Sequence, residues 1–161
     1  MRKIIATVHL QAIRNNAKAF KERTGVRLCA VVKANAYGHG AEEVANALSG
    51  IADCFAVALL EEALALRVAT CGKDILILTP PLSEEDIFAC ASNGFIVTLS
   101  DLRTARLAER ACKRYGCTLR VHLKVNTGMN RYGMHLPALG KTCKYLRESK
   151  YIRVEGVYSH M

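Results

Sequence analysis

Apolar positions along the chain recur at helical spacing in some segments and form continuous strand-like runs in others. The first helical segment stops before Gly25 and has its apolar positions at Leu10, Ile13, Ala17 and Phe20. The apolar run from Val26 to Lys33 then predicts a strand that is covered on both faces. A second helix is predicted from Ala41 to Leu48, and the start of the chain, Ile4 to His9, is predicted to be extended.

A repeat of 22 residues follows, marked by the glycines Gly50, Gly72, Gly94 and Gly116. Each glycine is predicted to end a helix, and each is followed by a strand-like run, namely CFAVAL, DILILTP, FIVTLS and TLRVHLKVN. The helices between these runs are predicted at Leu60 to Cys71, Ser83 to Ser92 and Asp101 to Tyr115. Ser83 and Asp86 have the spacing of a helix N-terminal cap. A last helix, Leu136 to Ser149, and a sixth strand, Tyr151 to His160, complete the pattern.

Strands that alternate with single helices imply parallel strands with right-handed crossovers. The pattern suits an open doubly wound sheet or a (β/α)8 barrel, and two observations favour the barrel. The first is that no G-x-G-x-x-G follows the first strand. The second is that polar and apolar residues alternate along the fifth strand, with Arg120, His122, Lys124 and Asn126 on one face and Val121, Leu123 and Val125 on the other. Because six βα units do not close an eight-stranded barrel, we expect an α/β TIM-type barrel that is incomplete, in a fragment of a longer protein.

Composition excludes some classes of protein and leaves others open. The 161 residues are 51% hydrophobic, enough for one core, and no apolar segment is long enough for a membrane span or a signal peptide. The net charge is +9, and one predicted helix has a basic face formed by Arg103, Arg106, Arg110, Lys113 and Arg114. Without interleaved aromatic residues, this face favours a solvated surface over nucleic-acid binding.

The seven cysteines have no paired short spacings, and several lie in apolar runs. Cys29, Cys54 and Cys90 are therefore predicted to be reduced core thiols, and the chain is expected to be cytoplasmic.

The most unusual residue for its position is Lys33, at the end of the first predicted strand. Apolar surroundings disfavour the ammonium form and make a neutral amine available as a base or a carbonyl-binding group. A side chain that extends into water is an equally good interpretation at this point. Lys124 and His160 end other predicted strands, and Arg131 follows in the next loop, so all four are expected at the carboxyl-terminal mouth of the barrel.

Three motifs carry a family resemblance: AVVKANAYGHG, HLKVNTGMNRYG and EGVYSHM occur in this order. The chain resembles alanine racemase, a fold-type III enzyme that uses pyridoxal 5'-phosphate, from ATVHLQAIRNN to its last residue. The resemblance implies that Lys33 bonds covalently to the cofactor and acts as the base on one face of the substrate. It implies that Tyr37 helps to hold the phosphate, and that His160 lies against the pyridine ring. It also implies that Lys124 is carbamylated and positions Arg131, which binds the substrate carboxylate and contacts the cofactor.

The implied activity is the interconversion of L-alanine and D-alanine, which supplies D-alanine for peptidoglycan, in a cytoplasmic homodimer. In the family the second base is a tyrosine of the partner's C-terminal β-domain, and no motif in this chain matches it. Residues 1–9 are expected to be a strand that pairs with that β-domain, and residues 10–161 a partial cofactor-binding barrel. We therefore expect the 161-residue chain alone to bind the cofactor poorly and to be inactive.

Two alternatives remain within the resemblance. Asn126 stands where many family members have aspartate, which leaves open a serine or broad-specificity racemase. A non-catalytic carrier of pyridoxal phosphate has a similar barrel, but the motif HLKVNTGMNRYG favours an enzyme.

Overall fold

The computed structural model describes residues 4–160. Over these residues the helices are α1 (Leu10–Thr24), α2 (Lys33–Gly38), α3 (Ala41–Leu48), α4 (Leu60–Leu66), α5 (Glu84–Ser92), α6 (Leu102–Tyr115) and α7 (Leu136–Arg147). The strands are β1 (Cys29–Val31), β2 (Cys54–Val57), β3 (Asp74–Ile77), β4 (Ile96–Leu99), β5 (Leu119–Lys124) and β6 (Ile152–Tyr158).

The strands form one parallel sheet in which neighbours along the sheet are neighbours along the chain, in the order β1-β2-β3-β4-β5-β6. A doubly wound sheet reverses its strand order at a switch point, whereas the strands of a barrel follow one another around the axis. The observed order therefore confirms the predicted α/β barrel architecture, here with six of its strands.

The hydrophobic core lies mainly between the sheet and the helices, and its largest fully buried side chains include Phe55, Phe95 and Ile87. A smaller buried cluster of Ala56, Leu76 and Ile96 occupies the other face of the sheet. Since successive side chains of a strand point to opposite faces, this second cluster marks the barrel interior. The sheet is thus covered by helices outside and lines a cavity inside.

Several predicted helix ends are confirmed. The Ser83 hydroxyl accepts a hydrogen bond from the Asp86 backbone N–H over 3.0 Å and caps α5. Gly116 ends α6 in the left-handed conformation, with φ of 65°. Gly50 was predicted to end a helix in the same way, but it is not among the described residues with positive φ.

The predicted strands are longer than the observed ones. The first strand was predicted from Val26 to Lys33, but β1 covers only Cys29–Val31, and Lys33 begins a tight turn. β5 and β6 end at Lys124 and Tyr158, so Asn126 and His160 lie two residues beyond them. The segment Ile4 to His9, where Ile4 is 98% exposed, has no strand partner within residues 4–160, so its pairing with a β-domain stays a prediction. An extended segment without a neighbouring strand has no ladder of hydrogen bonds to define it.

The predicted burial of cysteines is correct at Cys90 and wrong at Cys29 and Cys54. Cys90 is a buried residue of α5, whereas Cys29 is exposed and Cys54 half-buried. Continuous apolarity did not distinguish the outer face of the sheet from its inner face, which is open in this chain. On the basic face of α6, Arg110 and Arg114 form ion pairs with Glu84 of α5. None of the helices within residues 4–160 combines the length and apolarity needed to cross a membrane.

Candidate functional site

One cavity of about 640 Å³ runs along the inner face of the sheet and extends to the carboxyl-terminal ends of its strands. All five residues that the sequence predicted for a site line it, namely Lys33, Tyr37, Lys124, Arg131 and His160. Lys124 is the last residue of β5, and the other four come from the segments that follow β1, β5 and β6. Their convergence follows from topology, because the carboxyl ends of parallel barrel strands meet at the same face.

Lys33 begins a left-handed turn. Its successors Ala34, Asn35, Ala36 and Tyr37 have φ values of 51°, 53°, 52° and 55°. None of the four is glycine, and each such residue costs about 1–2 kcal/mol relative to the right-handed conformation. Strain of this kind persists only where the surroundings determine the backbone strongly, and it is concentrated at functional sites.

Several hydrogen bonds hold this turn. Ala36 N–H donates to the Val32 carbonyl over 2.9 Å, and the Asn35 side chain accepts from Ala41 N–H over 2.8 Å. The carboxylate of Glu62, at the start of α4, accepts from Ala34 N–H over 2.7 Å. Its other oxygen accepts from Ala58 N–H over 2.7 Å, so one side chain joins the turn after β1 to the loop after β2.

Sequence reasoning missed Glu62. Its position in the first turn of a helix is a recognisable capping signal, but the long-range bond to Ala34 has no signature in a single sequence.

The Lys33 ammonium lies 5.9 Å from the centre of the Tyr37 ring, close enough for a cation–π interaction. Lys33 is half-buried and Tyr37 is 62% exposed. The lysine is therefore neither fully desolvated nor extended freely into water. Its amine reaches the cavity from a fixed backbone.

Lys124, the last residue of β5, is only 8% exposed. Its ammonium donates to the Val125 carbonyl over 2.8 Å and lies 5.3 Å from the centre of the Tyr158 ring. Burial lowers its pKa, and the nearby charge of Arg131 lowers it further. No carboxylate within residues 4–160 forms an ion pair with it. The buried amine therefore lacks the partner that a buried cation normally requires.

The loop after β5 carries Arg131 and is closed on itself. Met134 N–H donates to the Lys124 carbonyl over 2.8 Å, and Asn126 N–H donates to the Met134 carbonyl over 2.9 Å. The Asn126 side-chain oxygen accepts from the N–H groups of Gly128 and Asn130, each over 3.1 Å, and its amide donates to the Asn130 side chain over 2.8 Å. An aspartate could not make this last donation.

His160 follows β6, and its backbone is tied to the same loop. The Thr127 hydroxyl donates to the His160 carbonyl over 2.9 Å, and the Ser159 hydroxyl donates to the Val125 carbonyl over 2.9 Å. The segments after β5 and β6 therefore form one unit, so that Arg131 and His160 line the cavity together.

Tyr158 forms part of the cavity wall and was not predicted as a site residue. Its hydroxyl lies 2.8 Å from that of Thr98, which in turn donates to the Ile77 carbonyl over 2.8 Å. Burial raises the pKa of the Tyr158 phenol. This chain of bonds fixes the ring beneath Lys124. Its place at the end of the last predicted strand was the only available signal.

The charge of the cavity is one-sided. Three cationic side chains line it, Lys33, Lys124 and Arg131, together with His122 and His160, and its described lining contains no aspartate or glutamate. Such a lining attracts anions such as phosphate and carboxylate groups. The fold and site therefore define a parallel α/β barrel protein that presents a lysine amine inside a cavity suited to an anionic ligand.

Comparison with known proteins identifies the family. The family model described as alanine racemase, N-terminal domain, matches residues 8–161. The chain belongs to the alanine racemase family.

Individual relatives agree in sequence and in structure. The alanine racemase of Streptococcus uberis is 41% identical over 162 residues, covering 99% of this chain and 43% of the relative. The biosynthetic alanine racemase of Pseudomonas aeruginosa superposes with a TM-score of 0.87 at 36% identity, covering 100% of this chain and 45% of that one. A histidine racemase from Leuconostoc mesenteroides superposes with a TM-score of 0.86 at 28% identity, covering 94% of this chain and 41% of that one. The chain spans less than half the length of these relatives.

Proposed function

We propose that the full-length protein is a pyridoxal-phosphate-dependent alanine racemase. The observation that carries this proposal is the single cavity in which Lys33, Arg131, Lys124 and His160 converge without a described carboxylate. Membership of the alanine racemase family supports the same reaction. Because the chain spans only 43% of its relative from Streptococcus uberis, the activity is proposed for the full-length protein.

The residues of the cavity fit pyridoxal phosphate, which combines an aldehyde with an anionic phosphate. Lys33 provides an amine for covalent attachment, and the excess of cationic groups matches the negative charge of the cofactor. Tyr37 would contact the phosphate, and His160 would lie against the ring. When bound, the cofactor supplies an electron sink that stabilises negative charge at the substrate α-carbon.

In this proposal the side chains of the cavity have separate roles. Arg131 binds the substrate carboxylate, for which a guanidinium offers paired donors. The amine of Lys33 removes or returns the α-proton on one face of the substrate. Inversion needs a second base on the opposite face, which the family resemblance assigns to a tyrosine of a partner subunit. The left-handed turn that follows Lys33 constrains the backbone from which its side chain reaches the cavity.

We also propose that Lys124 carries a carbamate. Burial lowers the pKa of its amine, which favours the neutral form that attacks carbon dioxide. The new N–C bond yields a carboxylate and releases one proton, so a buried cation is replaced by an anion near Arg131. Incubation with ¹³C-labelled bicarbonate should give a carbamate carbon signal that is absent from Lys124→Ala and retained in Lys141→Ala. An unlabelled protein that is fully active would contradict this assignment.

A second candidate substrate class is a different amino acid. The structural similarity to a histidine racemase, together with Asn126 in place of aspartate, supports this alternative. Comparison of kcat/KM for alanine, serine and histidine with the same preparation would decide between them. The proposal for alanine predicts the highest value for alanine.

The family resemblance also supports a cytoplasmic homodimer and a first segment, residues 1–9, that pairs with a β-domain. Ile4 and Ile5 are 98% and 81% exposed, as expected of apolar residues that another domain covers. Sedimentation of the full-length protein tests the dimer.

The direct test of the function is conversion of L-alanine to D-alanine by the full-length protein with added pyridoxal phosphate, measured by chiral chromatography. Lys33→Ala and Arg131→Met should lower kcat/KM by at least about 10³-fold, because a base and a substrate anchor are lost. Lys141→Ala, at an exposed position of α7, is the matched control and should retain activity. Full activity in Lys33→Ala would exclude the proposed role of Lys33.

A further inference from the structure

Two cysteines face each other inside the sheet. Cys29 begins β1, Cys54 begins β2, and the two are directly paired in the parallel register. Neighbouring strands lie about 4.8 Å apart, which is within the Cα separation of about 4.4–6.8 Å that a disulfide spans. Both residues line the 640 Å³ cavity, so their side chains are on the same face.

Within residues 4–160 these thiols are also less buried than the other cysteine pair. Cys29 is exposed and Cys54 is half-buried. Cys112 and Cys117 are close neighbours as well, but Cys112 is 0% exposed, and burial raises its pKa to about 12. A fully buried thiol has little access to oxidants.

The surroundings make the two thiols unequal. A hydrogen bond between the two side chains lowers the pKa of Cys54 and raises the pKa of Cys29. The charge of Arg27 also lowers the pKa of Cys54, against the opposing effects of burial, Asp74 and Asp53. Cys54 is therefore the thiol that ionises first, with Cys29 beside it as the second sulfur.

We propose that Cys29 and Cys54 are a redox pair that peroxide converts to a reversible disulfide between β1 and β2. The Cys54 thiolate attacks hydrogen peroxide, so that an S–O bond forms, the O–O bond breaks and hydroxide leaves to take up a proton. The Cys29 sulfur then attacks the Cys54 sulfur, the S–S bond forms, the S–O bond breaks, and water leaves with the Cys29 proton. In total, two thiols and one peroxide give one disulfide and two water molecules.

The cross-link would act on the segment that carries the site. A disulfide between Cys29 and Cys54 would close a loop that contains Lys33 and its left-handed turn. Oxidation would therefore add a covalent link between β1, which leads into this turn, and β2.

The test is peptide mapping of the full-length protein after treatment with hydrogen peroxide. Free thiols are blocked with N-ethylmaleimide, and the protein is digested with trypsin without reduction. Cleavage at Arg27, Lys33 and Arg67 places the two cysteines on separate peptides, residues 28–33 and 34–67. The proposal predicts that these peptides are joined, that dithiothreitol separates them, and that the peptides of Cys112 and Cys117, residues 111–113 and 115–120, remain unlinked.

Substitutions sharpen the result. Cys54→Ser should leave residues 28–33 unlinked, whereas Cys71→Ser, a matched change at an exposed cysteine, should link as the parent does. The proposal is overturned if Cys29 and Cys54 both remain open to N-ethylmaleimide at a peroxide dose that oxidises Cys71 or Cys143. The mapping of the parent protein and Cys71→Ser decides this even if Cys54→Ser does not fold.

Discussion

The Glu62 carboxylate accepts a hydrogen bond from the Ala34 backbone N–H over 2.7 Å, across 28 positions of the chain. Ala34 directly follows Lys33 and is the first residue of the left-handed turn. Glu62 therefore acts as a positioning residue, because it holds the backbone next to the amine on which the proposed chemistry depends.

Glu62→Gln should lower the free energy of unfolding by about 1–2 kcal/mol, because the amide cannot accept on both sides and carries no charge. It should also weaken binding of pyridoxal phosphate in the full-length protein, measured by titration of the cofactor absorbance. Glu61→Gln, at the exposed neighbouring position, should leave both quantities nearly unchanged. Equal effects of the two substitutions would contradict the positioning role of Glu62.

Ala34→Gly should raise the free energy of unfolding by about 0.5–1 kcal/mol, because glycine avoids the cost of a side chain at φ of 51°. Ala19→Gly, also an exposed alanine but in the middle of α1, should lower it by about 1 kcal/mol. Chemical denaturation measures both. Effects of the same sign would contradict the left-handed conformation.

Gly133→Ala should lower the free energy of unfolding by about 2–3 kcal/mol. A Cβ at this position, where φ is 118°, would lie 2.8 Å from the backbone nitrogen of Asn126 and 3.1 Å from Cγ of Lys124. The loop that carries Arg131 would have to shift, so the racemase activity proposed for the full-length protein should fall as well, even under conditions where the variant is folded. Gly140→Ala has open space in α7 and should stabilise the chain slightly.

The ion pairs of Arg120 should make the free energy of unfolding depend on pH. Arg120 forms ion pairs with Asp74 over 2.6 Å and with Glu155 over 2.8 Å, and these contacts lower the pKa of both carboxyl groups. The contribution is complete above their ordinary values, 3.8 and 4.5, and is lost as the pH falls through the lower values of the folded state.

Arg120→Met should therefore cost on the order of 2 kcal/mol at pH 7 and much less at pH 3. Arg103→Met, at an exposed position of α6, should show no such pH dependence. Urea denaturation at pH 7, 5 and 3 measures the difference. A constant loss at all three values would show that Arg120 acts through packing alone.

Sequence reasoning reached the barrel because the 22-residue repeat and the short loops limit the topology to few possibilities. It also predicted that Lys33, Lys124, Arg131 and His160 lie together, and they line one cavity. Polar residues at the ends of apolar strands are informative here, because parallel barrel strands place these ends at one face. The positions of these residues beyond the strand ends were missed at Lys33 and His160.

The left-handed turn could not be predicted, because its sequence, KANAYG, contains good helix formers and its conformation is imposed by distant contacts such as Glu62. Tyr158 and its bond to Thr98 were missed for a similar reason. A side chain on a strand has two faces available, and only the closed sheet determines which groups meet across it. Cys29 and Cys54 were wrongly predicted to be core residues for the same reason.

The most direct test of the proposed chemistry is to trap the covalent link between pyridoxal phosphate and the full-length protein. Reduction with sodium borohydride followed by peptide mapping should find the phosphopyridoxyl group on Lys33. It should be absent from this position in Lys33→Ala and present in Lys141→Ala. A modified lysine at another position, with Lys33 unlabelled in active protein, would contradict the account.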